Sequence, residues 1–283
     1  MPNIESLLEI VTVADASRRV EYSENALFEA PNWSRDGSFL VFNKHGRLYR
    51  YNFSDHSVDE IDSDFADANN NDHGISPDGR SLVISHHNRD NDGLSQIYTL
   101  PIEGGRPTMV TTSGPSYWHG WSPDGSTLAF VAGRKAHPDY KIYRIAITGG
   151  EERQLTFGEG LDDGPDYSAD GNTIFFNSHR SGRMQIWRMD SDGSNPRQCV
   201  FSEGSDWFPH PSPDGKKLVF LRYLEDQGQA HPFGRDVRLM IMDLQSEKVS
   251  ALTEVFFGGQ GTINVPSWSP DSRELAFVSY RQK

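Results

Sequence analysis

Residues 121–131 read WSPDGSTLAFV, in which a four-residue turn at 122–125 is followed, after two polar residues, by an apolar run at 128–131. Copies of this turn recur along the whole chain, as SRDG at 34–37, SPDG at 76–79, SADG at 168–171, SPDG at 212–215 and SPDS at 269–272. Counted with the copy at 122–125, the first serines lie 42, 46, 46, 44 and 57 residues apart. Repetition at this period is typical of proteins built from several copies of one structural unit.

Each copy has the composition of a tight turn that leads into a buried strand. Serine, proline, aspartate and glycine are the residues preferred at the four successive positions of a type I turn. The apolar run after the turn, Leu128–Val131 in the third copy, has the length and composition of a strand buried on both faces. A further strand pattern at Ile142–Ile145 and a short outer one at Arg153–Thr156 complete the unit. Each unit is therefore predicted to be a four-stranded antiparallel meander.

Six such sheets arranged around a channel form an all-β, six-bladed β-propeller, which we predict as a single domain over residues 1–283. The last copy supplies only two strands, whereas Leu7–Ile10 and Arg18–Tyr22 near the N-terminus have the pattern of the two that are missing. We therefore expect residues 4–24 to complete the sixth blade beside residues 267–281. This closure by the N-terminal strands would leave no unpaired sheet edge in the ring.

Composition narrows the possible partners and locations. The chain has 27 basic and 40 acidic residues, and a net charge of −13 makes nucleic acid an unexpected partner. No run of about 18 apolar residues occurs, so no membrane partner is expected either. The single cysteine, Cys199, allows no internal disulfide, and the segment Met1–Val13 lacks the pattern of a secretory signal. These features predict a cytoplasmic protein.

The segments Trp121–Phe130 and Asn177–Asp190 resemble the WD-like propeller repeats of TolB-like proteins, and the resemblance extends over essentially the whole chain. It implies the six-bladed fold. It implies no reaction, because such propellers serve as scaffolds, as ligand sites and as domains of larger enzymes. Similar propellers precede the hydrolase domain of prolyl oligopeptidase relatives, but the Gly-x-Ser-x-Gly sequence of such a hydrolase is missing from this chain.

The candidate functional residues cluster at one end of the predicted channel. Loops that enter the innermost strands, and loops that follow the second strands, emerge on the face opposite the repeated turns, and eight of the ten histidines map to that face. Aromatic side chains beside acids suit sugars, cationic groups or a peptide segment. We predict a ligand site at this channel mouth, formed by Glu29, His73, Tyr117, Trp118, His119, Asp163, Asp166, Arg180, Trp207, His210 and Asn264.

Two functions from different classes fit this mouth. The first is a non-catalytic module that binds a small molecule, a sugar, a peptide segment or a protein partner. The alternative is a lyase or hydrolase acting on a carbohydrate, with a divalent zinc, manganese or iron ion in the central channel. That ion would be held by His73, His119 and His210, with Asp163 or Asp166 nearby. The same histidines could instead cap loops and fill the rim, and a bare scaffold that uses the outer edge of the ring also remains open.

Two insertions explain the long interval of 57 residues before the last repeat. They are the loop Tyr223–Asp236 and the segment Glu254–Pro266. Both should rise on the histidine-rich face over one sector of the ring. Long loops on a rigid scaffold are often functional, so we expect a partial lid or a partner contact there.

Overall fold

The computed structural model describes residues 4–135 and 137–283, apart from the side chains of His137 and Pro138. One of the eight histidines assigned to the mouth, His137, thus has a side chain outside the described part. Over the described range the chain is built of strands with one short 3-10 helix, Arg89–Asn91. That range contains no helix long and apolar enough to cross a membrane. The prediction of an all-β, six-bladed propeller is confirmed.

The chain opens with β1 (Ile4–Thr12) and β2 (Arg18–Glu24), and five antiparallel blades follow in chain order. From the channel outward, the first blade consists of β3 (Phe28–Trp33), β4 (Phe39–Lys44), β5 (Arg47–Asn52) and β6 (Val58–Ile61), and the second of β7 (Asn69–Ile75), β8 (Ser81–Asn88), β9 (Leu94–Pro101) and β10 (Thr108–Met109). The third blade consists of β11 (Ser116–Trp121), β12 (Thr127–Arg134), β13 (His137–Ala146) and β14 (Arg153–Gln154), and the fourth of β15 (Asp162–Tyr167), β16 (Thr173–Ser178), β17 (Gln185–Asp190) and β18 (Arg197–Gln198). The fifth blade consists of β19 (Ser205–Pro211), β20 (Lys217–Tyr223), β21 (Phe233–Asp243) and β22 (Val249–Ala251). The last two strands are β23 (Phe256–Gly259) and β24 (Glu274–Gln282).

The two ends of the chain share the sixth blade, as predicted. Strand β1 pairs with β24 over nine residue pairs, and its other edge pairs with β2. The innermost position of this blade is less regular than in the other five. The segment there meets β24 through an isolated bridge between Trp268 and Leu275, and the amide of Ala276 donates to the carbonyl of Ser267 at 3.0 Å. The ring is therefore closed by strands from both termini.

The repeated turns are held by the same hydrogen bonds in every blade. In the third copy the hydroxyl of Ser122 donates to Asp124 at 2.6 Å and accepts from the amide of Thr127 at 2.9 Å. The sixth copy has Ser272 where the others have glycine, at a φ of 62°. Its hydroxyl accepts a 3.0 Å hydrogen bond from the amide of Asp214, so the exceptional serine links the turns of the fifth and sixth blades.

The innermost strands of the first five blades are bulged, and this feature decides which side chains face the channel. The register shifts occur between Glu29 and Asn32, Asn69 and His73, Trp118 and Gly120, Asp163 and Asp166, and Trp207 and His210. A bulge adds one unpaired residue to a strand and turns the side chains after it in new directions. Strict inward and outward alternation therefore fails along these strands.

Removal of residues 1–24 is expected to abolish cooperative unfolding, because it strips β24 of its partner and takes the buried Leu8 and Ile10 out of the core. A thermal melt followed by circular dichroism measures the effect. Replacing the exposed Val20 of β2 by alanine is the control and should leave the melt unchanged. A shortened protein with one transition at the temperature of the full chain would contradict ring closure.

Candidate functional site

A cavity of about 390 Å³ opens at the mouth of the channel, which is large enough for a small molecule. Its walls come from the second to the fifth blade and from the segment that leads into the sixth. The described lining consists of Asn70, Asn71, Asp72, Tyr117, His119, Val131, Tyr140, Leu161, Asp163, Phe208, Gln229, His231, Gln260 and Asn264. Carboxylates, amides, imidazoles and aromatic rings thus meet in one space.

Four of the predicted site residues line this cavity: Tyr117, His119, Asp163 and Asn264. A fifth, Glu29, lies beside it, since its carboxylate comes close to Gly261 and to the charge of Asp72. The structure therefore brings together a polar group from the first blade, aromatic and acidic groups from the third and fourth, and an amide from the segment before the sixth.

Three other predicted residues are placed elsewhere. Trp118 and Trp207 are buried between blades, with 1% and 0% of their surfaces exposed. Trp207 packs against the ring of His231, with 4.5 Å between the ring centroids, and so supports the wall from behind. Arg180 pairs with Asp162 at 2.9 Å and does not line the cavity. These three predicted site residues therefore do not line the mouth cavity.

The predicted metal triad is not assembled. His73 is fully buried, with its Nε2 3.4 Å from the carbonyl oxygen of Val41. His119 directs Nε2 to Asp163 at 3.1 Å, and His210 belongs to a different pair described below. Among the described side chains, which do not include that of His137, no three histidine, cysteine, aspartate or glutamate residues are placed to hold a metal ion. The three rings face different partners: His73 and His210 are buried against the backbone carbonyls of Val41 and Ile263, and His119 alone lines the mouth cavity.

His210 and Asp166 form a buried pair that holds a proton. The Nδ1 of His210 lies 3.1 Å from Asp166, and its Nε2 lies 2.8 Å from the carbonyl oxygen of Ile263. A carbonyl only accepts, so Nε2 must carry a hydrogen. Nδ1 and the carboxyl group then need one further proton between them to form a hydrogen bond. Burial raises the pKa of Asp166, which favours retention of that proton.

The acids and the histidine at the mouth form a coupled group. Burial raises the pKa of Asp72 to about 6. Burial alone would lower the pKa of His119, but the charges of Asp72 and Asp163 outweigh it and the pKa of His119 is raised. Burial would likewise raise the pKa of Asp163, yet the hydrogen bond from His119 lowers it. The contact thus favours a protonated His119 beside an ionised Asp163, and Asp72 adds a negative charge above about pH 6.

Both insertions take part in the mouth, as expected. Strand β23 pairs with β21, which joins the second insertion to the first above the fifth blade. The first insertion supplies Gln229 and His231, and the second supplies Gln260, whose amide oxygen is hydrogen-bonded to His231. Gln229 also reaches the fourth blade, where it accepts a hydrogen bond from the amide of Leu161 at 3.1 Å.

Several lining residues were not among the predicted site residues. Asp72 stands beside the chosen His73, and only the bulge decides which of the two faces the cavity. Gln229 and Gln260 lie in the two insertions, so the unusual repeat interval was the available signal for them. Tyr140 lies in a hairpin with no repeat signature.

A second, smaller cavity of about 220 Å³ lies at the opposite end of the channel. Its walls carry the aromatic residues that precede the repeated serines, including Trp33, Trp121, Tyr167 and Trp268. Each of these is at most 8% exposed, so they act mainly as packing between neighbouring blades. Asp166, which the sequence placed at the mouth, lines this end instead.

The TolB β-propeller domain family matches residues 119–264. An uncharacterized protein from Agrobacterium fabrum is 48% identical over 279 residues, which cover 98% of this chain and 93% of that protein. The chain belongs to the TolB β-propeller family. The predicted resemblance to TolB-like proteins is thereby confirmed.

Solved structures agree with this assignment. A TolB candidate from Agrobacterium tumefaciens superposes with a TM-score of 0.93 at 47% identity, covering 98% of this chain and 99% of that one. An oligogalacturonate lyase in complex with manganese is similar at a TM-score of 0.57 and 17% identity, covering 89% of this TolB-family chain and 74% of the lyase. The second likeness is one of fold alone.

Replacement of Gly74 by alanine tests the position of Trp118. A Cβ atom at position 74 would lie 2.0 Å from Cη2 of Trp118, whose side chain is buried, so the indole ring would have to shift. The free energy of unfolding should fall by roughly 2–3 kcal/mol. At Gly133 the nearest atom would be 3.6 Å away, so Gly133→Ala is the control and should cost less than about 1 kcal/mol. Equal losses in chemical denaturation would place Trp118 outside the core.

Glu29→Gln should change how stability depends on pH. Burial and the nearby Asp72 raise the pKa of Glu29 from 4.5 to about 7, so the folded chain holds a proton that the unfolded chain releases. The stability tied to this proton is complete below pH 4.5 and is lost as the pH rises through 7. Relative to the wild type, Glu29→Gln should therefore be more stable at pH 8 than at pH 5 by about 1–2 kcal/mol. This is less than the full pKa shift implies, because the side chain keeps some contact with water.

Denaturant unfolding at both pH values measures this difference, with the exposed Glu151→Gln as the matched control. A flat difference between the Glu29 variant and the wild type would show that this carboxyl group is not perturbed.

Proposed function

We propose that this TolB-family propeller is a non-catalytic binding module that holds a small ligand, such as a sugar or a peptide segment, in the mouth cavity. The observation that carries the proposal is the convergence of hydrogen-bonding groups and aromatic rings from four blades and both insertions on one cavity of about 390 Å³. Concave sites with a few converging polar groups are the usual form of small-molecule sites.

The composition of the cavity supports binding over the alternative function. A metal-dependent lyase or hydrolase needs several donors on one ion, and the described residues do not bring three together. A sugar acid would need a basic partner, and the lining that the structure describes contains neither lysine nor arginine. The likeness to the manganese-bound lyase supports the fold and adds no reason to transfer its substrate.

The predicted partners and location belong to the same proposal. A net charge of −13 supports a ligand other than nucleic acid. The lone Cys199, which is free, is compatible with the cytoplasmic location predicted from the sequence.

A cavity-filling variant tests the proposal. Leu161 lines the cavity and is partly exposed, so Leu161→Trp should occupy the space that a ligand needs. Wild-type protein is screened by thermal shift against neutral sugars, amines, amino acids and short peptides, and the affinity for each hit is measured by calorimetry. We expect at least one hit whose affinity falls tenfold or more in Leu161→Trp.

Phe201→Trp, at a side chain that is 78% exposed, is the matched control and should keep the affinity. Binding that survives Leu161→Trp, or that is lost equally in both variants, would contradict a ligand site at the mouth. Stabilisation by manganese or zinc that His119→Gln removes would favour the metal-dependent alternative.

A further inference from the structure

The charge of the mouth cavity distinguishes among the ligands that the proposed function admits. Its described walls include the carboxylates of Asp72 and Asp163 and no side chain of lysine or arginine. Two imidazoles also line it: His119 is engaged with Asp163 at 3.1 Å, and His231 is hydrogen-bonded to Gln260. Glu29 adds a further acid close to Asp72. The cavity thus carries an excess of negative charge over positive charge.

Asp72 is a buried carboxylate with a free oxygen. Only 6% of its surface is exposed, and its Oδ2 accepts a hydrogen bond from the amide of Asn70 at 2.7 Å. Its Oδ1 accepts no hydrogen bond from any residue that the structure describes. This oxygen is also not sealed off by surrounding protein atoms. Since Asp72 lines the cavity, this oxygen is open to it. A carboxylate so deeply placed is costly unless a donor or a cation meets it.

Asp163 presents a second oxygen of the same kind. Its Oδ1 is occupied, because it lies 3.1 Å from Nε2 of His119 and accepts from the amide of Gly164 at 2.7 Å. Its Oδ2 has no hydrogen-bond partner in the described part of the chain, and the residue lines the cavity. Asp72 and Asp163 line the same cavity, so the two carboxylates face one space.

Aromatic rings stand next to these acids. Tyr117 and Tyr140 lie on one wall with 6.0 Å between their ring centroids, and Phe208 forms another part of the lining. The negative face of an aromatic ring attracts a cation, and the attraction strengthens when water is excluded. Carboxylate oxygens beside aromatic faces therefore suit a positive group that carries a hydrocarbon body.

We propose that the mouth cavity binds the protonated amino group of a small organic cation, held between the free carboxylate oxygens of Asp72 and Asp163. This inference rests on the proposed function, which it narrows from small ligands in general to amines. An ammonium group needs only two or three acceptors at hydrogen-bond distance, whereas a metal ion needs a converging set of donors that the described chain does not provide. The side-chain amides of Gln229, Gln260 and Asn264 line the same cavity, and the oxygen of each already takes part in a hydrogen bond within the protein.

A pair of probes that differ in charge tests this inference. At pH 8, calorimetry compares 1,4-diaminobutane with 1,4-butanediol, which has nearly the same shape and no charge. We expect saturable binding of one diamine per chain and no detectable binding of the diol. Asp72→Asn, which keeps the shape of the side chain, should weaken the diamine at least tenfold, and Tyr140→Leu should weaken it several-fold.

The matched control is Glu159→Gln, which removes the same charge from an exposed position of the loop before β15. It should change the affinity less than twofold. Equal losses in Asp72→Asn and Glu159→Gln, or equal affinities for diamine and diol, would overturn the inference. Thermal melts of all variants show whether each is folded, and Asp163→Asn provides a second test of the same pair.

Failure of this inference is distinguishable from failure of the proposed function. A neutral sugar or peptide that binds the wild type, loses affinity in Leu161→Trp and is unaffected by Asp72→Asn would overturn the amine and leave the binding module standing. If no ligand of any charge responds to Leu161→Trp, both proposals fall together.

Discussion

The pairing of β1 with β24 holds the ring closed, and the geometry of the mouth depends on that closure. No single structural element forms the cavity, because its walls belong to four blades and to the segment before the sixth blade. These walls surround a common cavity because each blade packs between two neighbouring blades in the closed ring. Nine consecutive residue pairs join the two ends, and they unite the N-terminal strands β1 and β2 with the C-terminal strand β24 in one continuous sheet.

Polar contacts between blades fix the channel once the ring is closed. His210 of the fifth blade joins Asp166 of the fourth to the carbonyl of Ile263 before the sixth. Asn32 of the first blade accepts a 2.8 Å hydrogen bond from the amide of Ile75 in the second. Such buried groups are expensive when unpaired, so a shift of one blade against the next would cost several hydrogen bonds at once. This makes the channel a rigid frame for the mouth.

The repeat made the fold predictable, because turn chemistry and apolar runs are local properties of the chain. Six copies of one turn, and the strand patterns near residues 7 and 18, sufficed for the blade number and the closure. The site was only partly predictable, because the bulges change which residue faces the channel. His73 and His119 occupy the same position of their repeats, yet His73 is buried beneath Val41 whereas His119 lines the cavity. Contacts across 44 residues, as between Asp166 and His210, have no local signature at all.

The two insertions break the symmetry of the ring and give the mouth two different sides. The fifth-blade sector, where β21 and β23 pair, contributes mainly amides and imidazole, which can serve neutral groups of a ligand. The second to fourth blades contribute the carboxylates, which lie on the inner strands β7 and β15, and the two tyrosines of the third blade. A ligand with one charged end and one polar end would match this division, with its charge directed to Asp72. A symmetric ring of six equal blades could not provide such a direction, so in the proposed site the insertions would orient the ligand and the carboxylates of the inner strands would select its charge.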